Sequence, residues 1–314
     1  MCKPDISIII PAKNEEQNIV QCLDALCNLG YPQKDMEIIL VDNGSSDGTI
    51  EKARNYDVKI IQIPDVTISK LRNVGATSST GNLIAFVDAD VLVTKDWLCS
   101  ALKILSDDPE ISCLGGFIGI PKQNTWIERN WHLVFQALPR ETSVDWVSSM
   151  NMFIKRDIFF RIGGFNEGLS TGEDVDFCYR LKKFGKVYFT DQAEVIHIGE
   201  AKTIRHFFRK ERWRGRTIFS GLLSHGLQWN ELPSIIFPVY YIYFYVTIVP
   251  ILMLMANVYI VLMHVAIFFA IPTLRAFIIC TKLRRFSVIF ALSFLWWLYY
   301  TARAFSVLNF KKTR

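Results

Sequence analysis

The chain has 314 residues, 51% of them hydrophobic and 21% charged, which excludes a disordered chain or a small disulfide scaffold and leaves room for a catalytic domain plus an apolar region. The net charge of +5 is unevenly placed: from residue 233 onward there are eight Lys and Arg and no Asp or Glu, so the basic excess belongs to the tail and no nucleic-acid-binding surface is expected. Seven scattered cysteines, an odd number without a C-x-x-C pair, favour a reducing compartment, and the apolar run Ile6 to Ile10 is too short for a signal-peptide core.

Residues 5 to 10 read as a buried strand, and two further apolar runs, residues 36 to 42 (MEIILVD) and 82 to 88 (NLIAFVD), each end in an aspartate. Helix-like stretches lie around them: Glu15 to Cys27, Asp47 to Tyr56 and Ser69 to Ser78. Strand alternating with helix predicts an α/β domain whose strand C-terminal ends open onto one crevice. After Val93 come a helix (Trp97 to Leu105), an apolar strand (Ile111 to Ile120), a loop rich in Trp and Arg, and a strand near Met150 to Ile154.

Residues 201 to 216 (AKTIRHFFRKERWRGR) hold seven Lys and Arg and one acidic residue, interleaved with Phe207, Phe208 and Trp213, the pattern of an amphipathic helix beside anionic lipid. From Ser234 to Thr273 the only ionisable side chains are His264 and the phenols, enough for two spans of about 20 residues each. The block Phe286 to Phe305 has basic residues on both sides, which conflicts with a simple crossing, so it reads as re-entrant or interfacial, with three spans as the alternative. The expected organisation is a domain over 1–200, a basic interfacial segment over 201–232 and a membrane region of two or three apolar helices over 233–314.

Asp88-Ala89-Asp90 follows its strand directly, and alternation on an extended chain aims both carboxylates at one point. Such a pair can bridge Mg2+ or Mn2+ to a diphosphate; a solvated turn is the bland alternative. Asp42, at the head of Asp42-Asn43-Gly44-Ser45-Ser46-Asp47-Gly48-Thr49, can accept the N–H of a nucleobase edge, or serve a turn and helix cap. Arg72 can neutralise a phosphate, or be an ordinary helix-surface arginine. Glu173 and Asp174 suit the first turn of a helix, where carboxylates complement the dipole. A lone histidine between apolar residues, His197, is either a metal ligand or a satisfied core side chain.

Five segments in order, ISIIIPAKNEE, LVDNGSSDGT, RNVGA, VDADV and GGFNEGLSTGEDVDFCYRL, closely resemble the family 2 glycosyltransferases over about residues 5 to 200. That resemblance implies a GT-A nucleotide-sugar-binding fold, a Rossmann-like mixed sheet, followed here by a C-terminal membrane helical region. It implies a donor site at Pro11, Ala12, Asn14, Glu15, Asp42, Arg72, Asp88, Ala89 and Asp90, with Glu15 and Asp42 near the base and Arg72 near uridine or phosphate. Asp90 would be the main metal ligand, with Asp88 and His197 beside it, and Asp174 the general base of an inverting, metal-dependent transfer. Asn166 stands where the family often has Asp. Arg209-Lys210-Glu211-Arg212-Trp213 is similar to the Q-x-x-R-W element of membrane polysaccharide synthases, with Arg209 in place of Gln. Arg212 and Trp213 would then approach the diphosphate and the acceptor sugar, with Glu173 on the acceptor side, or else anchor the helix among headgroups.

The expected partners are a nucleotide-sugar donor, UDP-sugar being favoured, a lipid-linked or glycan acceptor and membrane lipids. The expected place is the cytoplasmic membrane with the catalytic domain on the cytoplasmic side, in envelope, exopolysaccharide or glycolipid assembly. A nucleotidyltransferase would need a Gly-rich loop after the first strand, where Pro11 to Glu16 has no glycine. An inactive nucleotide-sugar-binding membrane scaffold would have lost Asp90 or Asp174, and both are present.

Overall fold

The structure, a computed structural model, describes residues 5–169, 171–217, 232–253 and 258–308, which fall into two compact units. One takes in the residues up to 122 and 139–200; the other takes in 123–138 and those from 201 onward.

The first unit holds one nine-stranded sheet: β1 (Ile6–Ala12), β2 (Met36–Asp42), β3 (Lys59–Gln62), β4 (Leu83–Val87), β5 (Val91–Val93), β6 (Ile111–Gly119), β7 (Thr142–Ser143), β8 (Asn151–Lys155) and β9 (Lys186–His197). The order is β3-β2-β1-β4-β8-β6-β9-β5, with β7 on β9. Strands β1 to β4 are parallel, so Ala12 lies opposite Asp42 and the ends of β1, β2 and β4 share one edge of the sheet. Strand β8 then runs antiparallel between β4 and β6.

Strand β1 shows why the run ISIIIPA lies centrally in the sheet. Ile6, Ile8 and Ile10 face α1 (Ile19–Cys27) and α4 (Trp97–Asp107), where Cys22, Leu23, Leu26, Trp97 and Ala101 are buried. Ile9 points the other way, with Leu71 and Ala76 of α3 (Ile68–Thr77) and with Phe159, Phe165 and Phe177. Each fully buried side chain of this size contributes about 1.5–3 kcal/mol. Helix α3 comes this close to β1 because Gly75 lacks a Cβ, which would stand 2.4 Å from Ile9 Cγ2. The short α2 (Thr49–Ala53) follows β2.

The second unit holds α5 (Trp126–Gln136), α8 (Ile204–Arg214), α9 (Leu232–Met253), α10 (Val258–Leu283) and α11 (Ile289–Leu308), while α6 (Arg156–Ile162) and α7 (Glu173–Leu181) belong to the first. Trp131 of α5 and Phe207 of α8 pack with Leu295 and Leu298 of α11, and Leu133 packs with Ala276, Ile279, Cys280 and Leu292. Tyr241 and Phe244 join Phe268, Tyr300 and Ala304. Glu211, only 2% exposed, pairs with Arg214 at 2.7 Å and with Arg303 of α11 at 3.1 Å, and Gly215 packs against Ser306.

Several sequence expectations change. The segment read as a Trp- and Arg-rich loop contains α5, opened by a capping box between Thr125 and Glu128. The first predicted helix begins at Ile19 instead of Glu15, because residues 15–18 form a turn. The second apolar helix does not stop near Thr273 but runs to Leu283 and includes Pro272 and Arg275. The block from Phe286 forms one continuous helix, α11, after a short 3-10 turn. Val261–Leu283 and Phe286–Ser306 are long and apolar enough to be candidate membrane spans. Most of the predicted basic segment beyond Thr217 and the Asn257 turn lie outside the described residues.

Candidate active site

The loops after β1 and β2 are tied to each other. Asn14, at φ 57°, donates its N–H to Ser45 Oγ at 2.8 Å and accepts the Ser46 N–H at 2.9 Å. The Glu15 N–H reaches Thr49 Oγ1 at 2.8 Å. Asp42 is fully buried and accepts the N–H groups of Gly44 and Ser45, each at 3.0 Å, as well as the Ser45 hydroxyl. The turn role of Asp42 is thus realised, and its carboxylate shapes the loop after β2. Burial, with the charges of Asp90, Asp88 and Asp47, holds the Glu15 carboxyl above its usual range against the Asn18 amide that donates to it. Pro11 and Ala12 are buried at the end of β1, and Ala89 is buried in the turn between β4 and β5.

Arg72, expected near uridine or phosphate, is 2% exposed and joins two carboxylates, so it is not the ordinary helix-surface arginine. One terminal nitrogen donates to Asp88 Oδ1 at 2.7 Å and the other to Glu173 Oε1 at 2.6 Å, while Nε has no hydrogen-bond partner. The bridge ties the end of β4 to the start of α7. Asn73, the next residue, clasps the turn after α6: its amide nitrogen donates to the Phe165 carbonyl and Glu167 Oε1, and its oxygen accepts the Phe165 N–H, all at 2.9 Å. That role was missed by sequence reasoning, although the RNVGA motif contains the residue. Phe165 is wedged between Phe86, Phe159 and Phe177.

Helix α7 opens after Gly172, at φ 72°, and Asp174 sits in its first turn. Its Oδ1 accepts the Val175 N–H at 2.9 Å and its Oδ2 the Ser149 N–H at 3.4 Å. Burial and the adjacent Glu173 charge push the Asp174 carboxyl up to about 7, against the opposing pull of Arg72 and these two N–H groups. A carboxylate poised there suits proton abstraction near neutrality.

Asp90 lies where β5 begins, and pairing of Val91 with His197 brings the histidine against it. His197 Nε2 is 3.0 Å from Asp90 Oδ2 and Nδ1 is 2.9 Å from Glu200 Oε1. Burial disfavours its protonation, but the two carboxylates outweigh burial and raise it to about 9. Glu200 has the position of an orienting partner for the ring and was not anticipated. An octahedral ion with bonds of about 2.1 Å places neighbouring donors about 3.0 Å apart, so the Asp90 and His197 atoms fit two adjacent positions of a hard divalent ion. Asp88 is engaged by Arg72, and among the described residues no group of three or more His, Cys, Asp or Glu is arranged to hold a metal. The remaining donors would therefore come from ligand and water.

Arg212 and Trp213 belong to the second unit, both exposed, on the face of α8 away from Phe207 and Glu211.

A mixed sheet with helices on both faces, and acidic residues gathered at the ends of β1, β2 and β4, defines a GT-A glycosyltransferase fold. The chain matches a mannosyltransferase from Pyrobaculum calidifontis, solved with GDP-Man and Mn2+, at a TM-score of 0.63 and 18% identity, over 99% of this chain and 89% of the other. Residues 7–168 match the model of glycosyl transferase family 2, and the chain belongs to that family. It is 31% identical to glycosyltransferase AglE of Haloferax volcanii over 217 residues, covering 66% of this chain and 71% of AglE. It is 29% identical to a beta-monoglucosyldiacylglycerol synthase of Trichormus variabilis over 57% of this chain, and spans 41% of that protein's length.

Proposed function

We propose that the chain is a membrane-anchored inverting glycosyltransferase that moves a sugar from a nucleoside-diphosphate donor to a hydroxyl of a lipid-linked or glycan acceptor. The Arg72 bridge carries the reading: it holds the Asp88-Ala89-Asp90 segment and the Glu173-Asp174 segment in one charge network. Asp174 takes the proton of the acceptor hydroxyl as that oxygen attacks the anomeric carbon opposite the departing diphosphate, which inverts the configuration. Asp90 and His197 would hold Mg2+ or Mn2+, whose charge offsets that of the leaving diphosphate. The loop shaped by Asp42 and the Glu15 turn form the base end of the donor site, with UDP-sugar the favoured donor.

The apolar helices support membrane residence, and the synthase relative, named for a glycolipid, supports a lipid-borne acceptor. Arg303 meets Glu211 about 21 Å along α11 from Ile289, less than the roughly 30 Å hydrocarbon thickness, while charge-bearing α8 lies alongside. We therefore read α9 and α10 as the crossing pair and α11 as interfacial. The cysteines Cys22, Cys27, Cys99, Cys113, Cys178 and Cys280 are free, which suits a catalytic unit on the cytoplasmic side.

Calorimetry with UDP- and GDP-sugars, with and without Mn2+, tests the donor site. Metal-dependent binding of one donor is expected, weakened about tenfold or more by Asp90→Ala. Binding that needs no metal and ignores Asp90→Ala would sink the assignment.

A further inference from the structure

The turn that follows β9 is built around Asp90. The Ile198 N–H donates to the Asp90 carbonyl at 2.9 Å and Val91 pairs with His197, so backbone bonds already fasten this end of the strand to the start of β5. The Glu200 side chain is not required for that. Gly199 passes so close that a Cβ there would stand 1.8 Å from Asp90 Oδ2, and any side chain would displace that carboxylate. Glu200 then comes back to the His197 ring, whose side chain is only 4% exposed and so is held between its two carboxylate neighbours. Nε2 meets Asp90 Oδ2 at 3.0 Å, and at the other edge of the ring Nδ1 meets Glu200 Oε1 at 2.9 Å.

The two contacts have different consequences. A neutral imidazole carries one proton, and a ring nitrogen binds a cation only with its lone pair free. Asp90 stands on the Nε2 side with the carboxylate proposed for the metal, which leaves Glu200 to accept the Nδ1–H. Nε2 then presents its lone pair beside Asp90 Oδ2. Without an acceptor at Nδ1 the proton can move to Nε2, hydrogen-bonded to Asp90, and the ring ceases to be a ligand. A nitrogen donor also bears on which ion the site prefers. Mg2+ takes oxygen ligands and gives up its water reluctantly, whereas a first-row ion such as Mn2+ accepts imidazole at lower cost.

We propose that Glu200 is a positioning residue that holds His197 in its Nδ1–H form, and that through this ring the site selects Mn2+ over Mg2+. The inference rests on the reading that Asp90 and His197 hold the ion. Its test is electron paramagnetic resonance of Mn2+ bound to the detergent-purified full chain with UDP or GDP present, and competition by Mg2+. The wild type should bind Mn2+ about tenfold or more tightly than Mg2+ and show, in pulsed measurements, the nitrogen coupling of a directly bound imidazole. Glu200→Met, which removes the acceptor, should weaken Mn2+ about tenfold or more and abolish that coupling while Mg2+ binding changes little. Glu200→Gln keeps an oxygen for the Nδ1–H and should keep the coupling. Glu200→Asp, with a shorter reach, should lose it in part, and carries the test should Glu200→Met fail to fold.

Coupling undiminished in both Glu200→Met and Glu200→Asp, equal loss in Glu200→Gln and Glu200→Met, or equal weakening of Mn2+ and Mg2+ overturns the proposal. A wild type that binds Mn2+ without nitrogen coupling, or without preference over Mg2+, overturns it as well. A wild type that takes up no Mn2+ with either nucleotide would instead defeat the metal reading on which the inference rests.

Discussion

Asp174→Asn is expected to lower kcat about 1,000-fold while binding of the metal-loaded nucleotide sugar changes by less than about twofold. The substitution keeps the shape and the contact to the Val175 N–H but removes the basic lone pair. Single-turnover transfer and donor calorimetry on the same preparation check this, and near-normal turnover would remove Asp174 from the role of base. Because its carboxyl is pushed up to about 7, kcat/KM should rise with pH and level off above that value. The sign for stability is opposite. Between the ordinary value of 3.8 and about 7 the folded chain holds a proton that the unfolded chain releases, so this group makes the fold less stable as pH rises through that window. The asparagine variant should lose that slope in a denaturation series.

Arg72→Met should be the most destabilising single change in the first unit, by about 3–5 kcal/mol, because it leaves Glu173 and Asp88 charged without their shared partner. The effect on chemistry has its own signature. Arg72 holds the Asp174 carboxyl down, so its removal should shift the rising limb of kcat/KM to higher pH. Combining Arg72→Met with Glu173→Gln should recover part of the stability, since the second change removes a stranded charge. A double variant no more stable than Arg72→Met alone would show that the bridge is not what couples the two segments. Arg72→Lys should be intermediate, because one ammonium cannot place two donors 2.6 and 2.7 Å from separate carboxylates as the guanidinium fork does.

The sheet centre was legible because each of its strands is a local signal. ISIIIPA, MEIILVD and LIAFV are buried runs whose ends carry the polar residues of the crevice, and the family match in residues 7–168 covers them. Helix α5 was not legible. Its apolar face is spaced by Glu128, Arg129 and Asn130, and the surfaces that bury it, around Ala276 and Leu292, lie far later in the chain. Arg72 was noticed as a charge in the crevice, but its partners Asp88 and Glu173 are 16 and 101 residues away, so sequence spacing could not show the two carboxylates it joins. Glu200 and Asn73 were missed for a related reason, since each acts by orienting another group and leaves no spacing pattern of its own.

The pairing of Glu211 with Arg303 bears on how the protein can be cut down. A shortened chain ending at residue 232 would keep α5 and α8 yet lose the helices that cover Trp131, Leu133 and Phe207. It would also leave the Glu211 carboxylate without the arginine of α11. Such a fragment would expose sticky aromatic surface and resist recovery from the soluble fraction for reasons unrelated to lipid. Segments 123–138, 201–217 and 289–308 behave as one piece of material, to be kept or removed together.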